Sequence, residues 1–367
     1  MNKINSLRIS VVGDISLGDH PVCVGHGMRY SLSKNGDSLF SDVREWLSSS
    51  DITMGNLETV ASNINRKKWY LPSYEMRGDP SSLKVLKKSG FNLLGVANNH
   101  AMQHGKEAFI DTLKNLREYG IDSIGVDEPE TGKTKPFIHL KDGRKNVFIA
   151  VSMRPEEWSP NDIPYSYRSC EDELVQEVRL LREQHDGFFI VSIHWGLEYL
   201  SRPGPNQIKL GRRLVDEGVD VVVGHHPHVL QPMEHYKQGL ILYSLGDFLF
   251  DLWHPETKLG AIAAINLKEG CVPEVEFLPI VSDEQFKPVN ACSEQKERIL
   301  ELLQQSKEGI DLMTEVPESD YWDEYRRNLA AIRPRKYKYF INNIHKYPLF
   351  FLVQSIVRTF LRRVTGN

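Results

Sequence analysis

Short apolar runs alternate with stretches of helical period along most of the chain. Residues 8–12, 51–55, 91–96, 188–193 and 219–223 are rich in β-branched and apolar side chains, end at Gly, Asn, Asp or His, and read as buried strands. Residues 83–88, 108–119, 174–184 and 208–217 space their apolar positions three and four apart, which predicts helices with one buried face. Strands alternating with helices predict an α/β fold with a largely parallel sheet covered by helices. In such sheets ligands collect beyond the carboxyl ends of the strands, so segments distant in sequence meet in one crevice.

Each of the five predicted strands runs into a short polar segment. These are Gly13-Asp14, Asn56-Leu57-Glu58, Asn98-Asn99-His100, His194-Trp195-Gly196 and Gly224-His225-His226-Pro227-His228. Asp14 and Glu58 offer anionic oxygens, Asn99 a neutral carbonyl oxygen, and His194, His226 and His228 imidazole nitrogens. That mixture suits Mn, Fe or Zn better than Ca. It also exceeds what one tetrahedral zinc takes, and with a bridging carboxylate it fits two divalent ions about 3.5–4 Å apart, an arrangement that activates water for hydrolysis. His100, one residue past a proposed ligand, is left to act as general acid on the leaving oxygen or as a partner to a ligand.

The flanking residues supply substrate candidates. His225 alternates with His226 in an extended segment, so it is read as a substrate contact, a support for a ligand or a structural side chain. Trp195 and Glu198 stand either on the crevice rim or in a packed strand exit, and Arg202, beside the Pro203-Gly204-Pro205 turn, is a candidate to hold a phosphate or carboxylate. The cluster Arg66-Lys67-Lys68-Trp69-Tyr70, followed by Pro72 and Tyr74, is either a polyanion contact or a solvated loop. Isolated histidines such as His139, His185 and His345 are read as surface or satisfied core side chains.

In chain order, Gly13-Asp14-Ile15-Ser16-Leu17-Gly18, Asn56-Leu57-Glu58, Asn98-Asn99-His100, the segment from His194 to Tyr199, the segment from His226 to Pro232 and the segment from Tyr243 to Asp251 resemble the CapA family. These are the bacterial capsule or poly-γ-glutamate biosynthesis proteins of the calcineurin-like metallophosphoesterase superfamily. The resemblance spans about residues 7–282. It implies a four-layered α/β/β/α sandwich of metallophosphoesterase type with a dinuclear site at its mouth. It also implies that Asp14 and His228 hold the first metal, that Glu58 bridges, and that Asn99, His194 and His226 hold the second. Three positions depart from the pattern. Ser16 stands where the first motif usually has His, Gln103 where the family often has Asp, and Asp247 where it often has Asn.

Composition narrows the alternatives. With 367 residues and 40% hydrophobic content the chain can bury a large core, and the spread of motifs favours one domain over residues 1–285 with a helical extension over 286–367. A net charge of -4 argues against a generic nucleic-acid binder. Cys23, Cys170, Cys271 and Cys292 form no CxxC pair, so neither a zinc ribbon nor a disulfide framework is indicated and the thiols are read as reduced. The first residues carry no apolar signal core and no run of apolar residues is long enough to span a bilayer, so the protein is read as cytoplasmic. From residue 333 onward Arg and Lys continue without any Asp or Glu. Within 349–363 an apolar stripe of Leu349, Leu352, Val353, Ile356, Val357, Phe360 and Leu361 faces away from Arg358, Arg362 and Arg363. Such a helix either lies on an anionic inner membrane face or pairs with its own domain or another subunit. Two functions follow. The first is a metal-dependent hydrolase acting on a phosphorylated small molecule or on a phosphate, amide or ester linkage of an anionic polymer. The second is a non-catalytic component of a polymer synthesis and export assembly that binds the polymer.

Overall fold

The computed structural model describes residues 6–65, 75–158, 162–304, 312, 316–353 and 357. The chain first lays down β1 (Ser6–Ile15), β2 (Ile52–Leu57), β3 (Val60–Ala61), β4 (Arg77–Gly78), β5 (Leu93–Gly95) and β6 (Asp122–Ile124). Of these β1, β2, β5 and β6 pair in parallel, while β3 and β4 form a separate ribbon. The next six are β7 (Phe137–Lys141), β8 (Arg144–Ser152), β9 (Phe189–His194), β10 (Val221–His225), β11 (Leu230–Tyr236) and β12 (Gly239–Leu245). They build a second sheet in the order β11-β12-β10-β9-β8-β7. Finally β13 (Asp247–Leu249), β14 (Leu259–Lys268), β15 (Glu274–Ser282) and β16 (Pro288–Asn290) return to the far flank of β1. They complete a first sheet ordered β16-β15-β14-β1-β2-β5-β6, with β13 parallel to the end of β1.

Alternation of side chains along the strands sorts the core into layers. Leu7, Ile9 and Val11 of β1 meet Val221 and Val223 of β10 and Leu240 and Leu242 of β12 in a core between the two sheets. Val12 and Ile15, on the opposite face of β1, pack with residues of α1 (Met28–Asn35), α2 (Arg44–Ser48), α3 (Leu83–Lys88) and α4 (Lys106–Glu118), among them Met28, Leu47, Leu86 and Phe109. The outer face of the second sheet, with Val147, Ile149, Val191 and Val222, is covered by α5 (Glu171–Gln184) and α6 (Pro205–Asp216) through Val178, Leu210 and Leu214. Each fully buried aliphatic side chain of this kind contributes about 1.5–3 kcal/mol. The result is the four-layered α/β/β/α sandwich that the resemblance implied. The residue pattern by itself predicted one parallel sheet. The second sheet escaped it because a strand buried on both faces reads the same whether helix or sheet covers it.

The C-terminal helices pack back onto this body. Ile299 and Leu303 of α7 (Ser293–Leu303) enter the core between the sheets. Tyr321 of α8 (Glu318–Asn342) is buried against Leu197 and Leu200, and its hydroxyl donates to Gln207 Oε1 at 3.1 Å. Further along, Asn328 Nδ2 donates to the Tyr199 carbonyl at 3.1 Å, Arg335 Nη1 donates to His254 Nε2 at 3.1 Å, and Tyr339 packs on Trp253. No helix among the described residues is long and apolar enough to cross a membrane. Of the stripe predicted over 349–363, Leu349, Val353 and Val357 are helical and exposed and Leu352 is half-buried, while Ile356, Phe360, Leu361 and Arg358, Arg362 and Arg363 lie outside the described residues. The Arg66 to Tyr70 cluster, with Pro72 and Tyr74, lies outside them as well.

Candidate metal centre

The carboxyl ends of β1, β2, β9 and β10 meet at one mouth of the sandwich. Gly13 makes the close approach there possible, since a Cβ on it would fall 1.8 Å from the Gly246 carbonyl oxygen. The Asp14 amide instead donates to that oxygen at 3.1 Å, which sets Asp14 beside Asp247 across β1 and β13. Asn56 Nδ2 donates to Asp14 Oδ1 at 2.8 Å and the His226 amide to Asp14 Oδ2 at 3.1 Å, so one carboxylate ties three strand ends together. Asn98 braces Asn56 in turn, donating to its Oδ1 at 3.1 Å and to the Leu57 carbonyl at 2.8 Å.

Glu58 stands at the centre. Its Oε1 lies 3.4 Å from His194 Nε2 and 3.8 Å from His228 Nε2, and His194 Nε2 is 2.9 Å from Asn99 Oδ1. Three sets of donors fall within 4.8 Å of one another: Asp14, Glu58 and His194; Glu58, His226 and His228; Asp14, His228 and Asp247. The structure therefore brings all six predicted ligands to one crevice. His226 and His228 adopt φ of 97° and 57°, and neighbouring Tyr199 a φ of 63°. Such conformations cost about 1–3 kcal/mol each at non-glycine residues and concentrate at functional sites.

Charge and unpaired atoms fit the donor set to divalent ions. Glu58 Oε1 and Oε2, both ring nitrogens of His226 and Asp247 Oδ2 are buried without a hydrogen-bond partner. An unsatisfied buried polar atom costs about 1–3 kcal/mol, and a bound cation removes that cost. Burial pushes the Glu58 carboxyl well above the usual carboxylate range, against the pull of His228 and with further upward pressure from Asp14 and Asp247. Burial likewise raises Asp247 to about 7, opposed by His228. His226 and His194 are held well below the ordinary imidazole value, first by burial and then by neighbouring positive groups. His228 goes the other way, because Asp247 and Glu58 outweigh its burial. Carboxylate oxygens, an amide oxygen and neutral imidazoles gathered in this way are a ligand set for divalent cations.

His100 faces the same crevice from its edge. Its Nδ1 lies 2.6 Å from Gln103 Oε1 and its Nε2 4.0 Å from Glu58 Oε1. Gln103 Nε2 donates to Glu75 Oε1 at 3.0 Å, which fixes Gln103 Oε1 as an acceptor. The His100 proton is therefore on Nδ1 and Nε2 is turned to the site.

Two of the substrate candidates belong elsewhere. Trp195 is not on the rim: it is buried in the core of the second sheet, stacked on Tyr243, and its Nε1 donates to the Tyr243 carbonyl at 3.1 Å. His225 is buried with Nδ1 3.3 Å from Asp14 Oδ1, so it backs a proposed ligand and offers no surface to a substrate. Glu198 and Arg202 are half-buried, and the Arg202 carbonyl accepts from Gln231 Nε2 at 3.2 Å. The Glu198 charge is felt at Glu58 and Asp247. Ser16 does not reach the site, because its hydroxyl donates to the Gly18 carbonyl at 2.7 Å. Asn56, Asn98, Gln103 and Asp247 received no role from the sequence, although all but Gln103 lie inside the motifs that pointed to the site.

The protein is thus a four-layered α/β/β/α sandwich with a buried cluster of acidic and histidine donors at its mouth. Residues 8–252 match the family described as bacterial capsule synthesis protein PGA_cap, and the chain belongs to that family. It is 31% identical over 309 residues to the PGA biosynthesis protein CapA of Bacillus subtilis (strain 168), covering 82% of this chain and 78% of that one. Identity to the capsule biosynthesis protein CapA of Bacillus anthracis is 28% over 317 residues, 83% of this chain and 74% of that one. Among solved structures, a putative 5'-nucleotidase from Staphylococcus aureus, in complex with alpha-ketoglutarate, aligns with a TM-score of 0.48 at 14% identity over 81% of this chain and 58% of that one.

Proposed function

We propose that this protein is a hydrolase that works with two divalent ions, Mn, Fe or Zn, in the biosynthesis of a capsule polymer, an exopolysaccharide or poly-γ-glutamate. Its substrate is an anionic polymer or a phosphorylated precursor, cleaved at a phosphate ester or at an amide or ester linkage. The observation that carries this reading is the convergence of Asp14, Glu58, Asn99, His194, His226 and His228 around the unpartnered oxygens of Glu58. Asp14 and His228 would hold one ion and Asn99, His194 and His226 the other, with Glu58 between them. Bound there, the ions would activate water and offset the charge that develops on the attacked group. His100, with Nε2 toward the site, is placed to protonate the leaving oxygen when its ring carries both protons. Arg202 would supply a positive contact for the anionic substrate. We assign catalysis to residues 1–285 and attachment to the extension over 286–367. The site of action is the cytoplasm or the inner membrane face, with membrane contact or self-association through 349–363 and no nucleic-acid partner.

A second reading is a non-catalytic component that holds an anionic chain, and the withdrawal of Ser16 from the site favours it. A panel of phosphomonoesters, phosphodiesters and γ-glutamyl or acyl conjugates, assayed with added Mn²⁺, separates the two. Metal-dependent turnover of any member is the expected result. No turnover by a fully loaded protein would leave the binding reading.

A further inference from the structure

Asp247 was noted in the sequence only as a departure from a family pattern. In the structure it stands beside Asp14 at the mouth of the sandwich. On β13 it lies in register with Asp14 of β1, on a parallel neighbour, so the two carboxylates project from the same side of adjacent strands about 4.8 Å apart. Asp247, Asp14 and His228 bring one donor atom each within 4.8 Å of one another. Asp247 Oδ1 lies 2.9 Å from His228 Nδ1, whereas Oδ2 is buried without a partner in a residue only 6% exposed. Ser16, at the position where the family's first motif usually has a histidine, spends its hydroxyl on Gly18.

We infer that Asp247 is a ligand of the first metal, completing a set of Asp14, Glu58, His228 and Asp247 in place of the residue that Ser16 cannot supply. The inference rests on the reading of this crevice as a metal centre and names a ligand that the reading did not include. It also explains why three carboxylates share one buried pocket, since a bound cation offsets the repulsion that their charges would otherwise suffer. The exchange has a chemical consequence. The first ion would be held by three carboxylate donors and one imidazole, and the second by Glu58, the Asn99 amide oxygen and two imidazoles. Oxygen-rich sites suit harder ions, so the first site should favour Mn²⁺ relative to Zn²⁺ more than the second does.

The test compares the wild type with Asp247→Asn in calorimetric titrations with Mn²⁺, together with the anomalous map of a Mn²⁺-loaded wild-type crystal. Asparagine keeps the size of the side chain and an oxygen that accepts from His228, so it removes only the anionic donor. The expected result is that one Mn²⁺ site weakens by about tenfold or more while the other is unchanged. In the wild-type map an Asp247 oxygen should lie within about 2.5 Å of an ion. Mn²⁺ binding by Asp247→Asn equal to wild type overturns the inference, and so does an ion more than about 3.5 Å from both Asp247 oxygens, whatever the variant does. If Asp247→Asn fails to fold, the wild-type map decides alone. A wild type that binds no Mn²⁺ overturns the metal centre itself, a failure distinct from that of the ligand.

Discussion

At the scale of single residues, the role proposed for His100 separates chemistry from metal holding. It touches Gln103 and faces Glu58 without belonging to any of the close donor sets. His100→Asn should therefore keep its metal content and fold while turnover falls by about 10²–10⁴-fold, the usual contribution of a general acid. Elemental analysis beside the assay checks this, and a matching loss of metal would move His100 into the ligand set. The six proposed ligands were legible because each ends a strand of recognisable composition, and equivalent strand ends meet. The residues that hold the ligands were not. Asn56 and Asn98 act through side-chain hydrogen bonds across strands, and Trp195 turned inward because the packing of Tyr243, distant in sequence, decides which face it takes.

At the scale of elements, α8 is more than an appendage. Tyr321 fills the space beside Gly204, Leu197 and Leu200, and Asn328 holds the carbonyl of Tyr199, whose ring lies 6.4 Å from that of His228. Tyr321→Ala should destabilise the fold by roughly 3 kcal/mol, through a lost buried ring and the lost hydrogen bond to Gln207. Trp322→Ala, on the exposed side of the same helix, should stay within about 0.5 kcal/mol of wild type. Urea unfolding of the two variants compares these values directly, and equal effects would show that the helix is not docked as described. The existence of a C-terminal helical region was readable from composition. Its docking was not, because one buried tyrosine in a helix of low amphipathicity leaves no periodic signal.

At the scale of the whole molecule, the site concentrates ionisable groups whose balance depends on a cation. In the metal-free protein Asp247 is raised to about 7 and Glu58 and His228 well above their ordinary values. Between about pH 7 and 8 the unfolded chain has its carboxylates ionised and its histidines largely neutral, while the folded protein still holds extra protons in this cluster, Asp247 among them. Stability must then fall as pH rises through that window. His194 and His226, depressed in the fold, add the opposite slope only below the ordinary imidazole value. A divalent ion takes over the role of the protons, stabilises the folded state by mass action and binds more tightly as pH rises. Thermal unfolding with and without Mn²⁺ across that range therefore tests the metal centre most directly. The predicted result is a melting temperature that declines with pH in the metal-free protein, and a Mn²⁺-induced increase that grows toward the alkaline end. A protein whose melting is unmoved by Mn²⁺ at every pH would contradict the account.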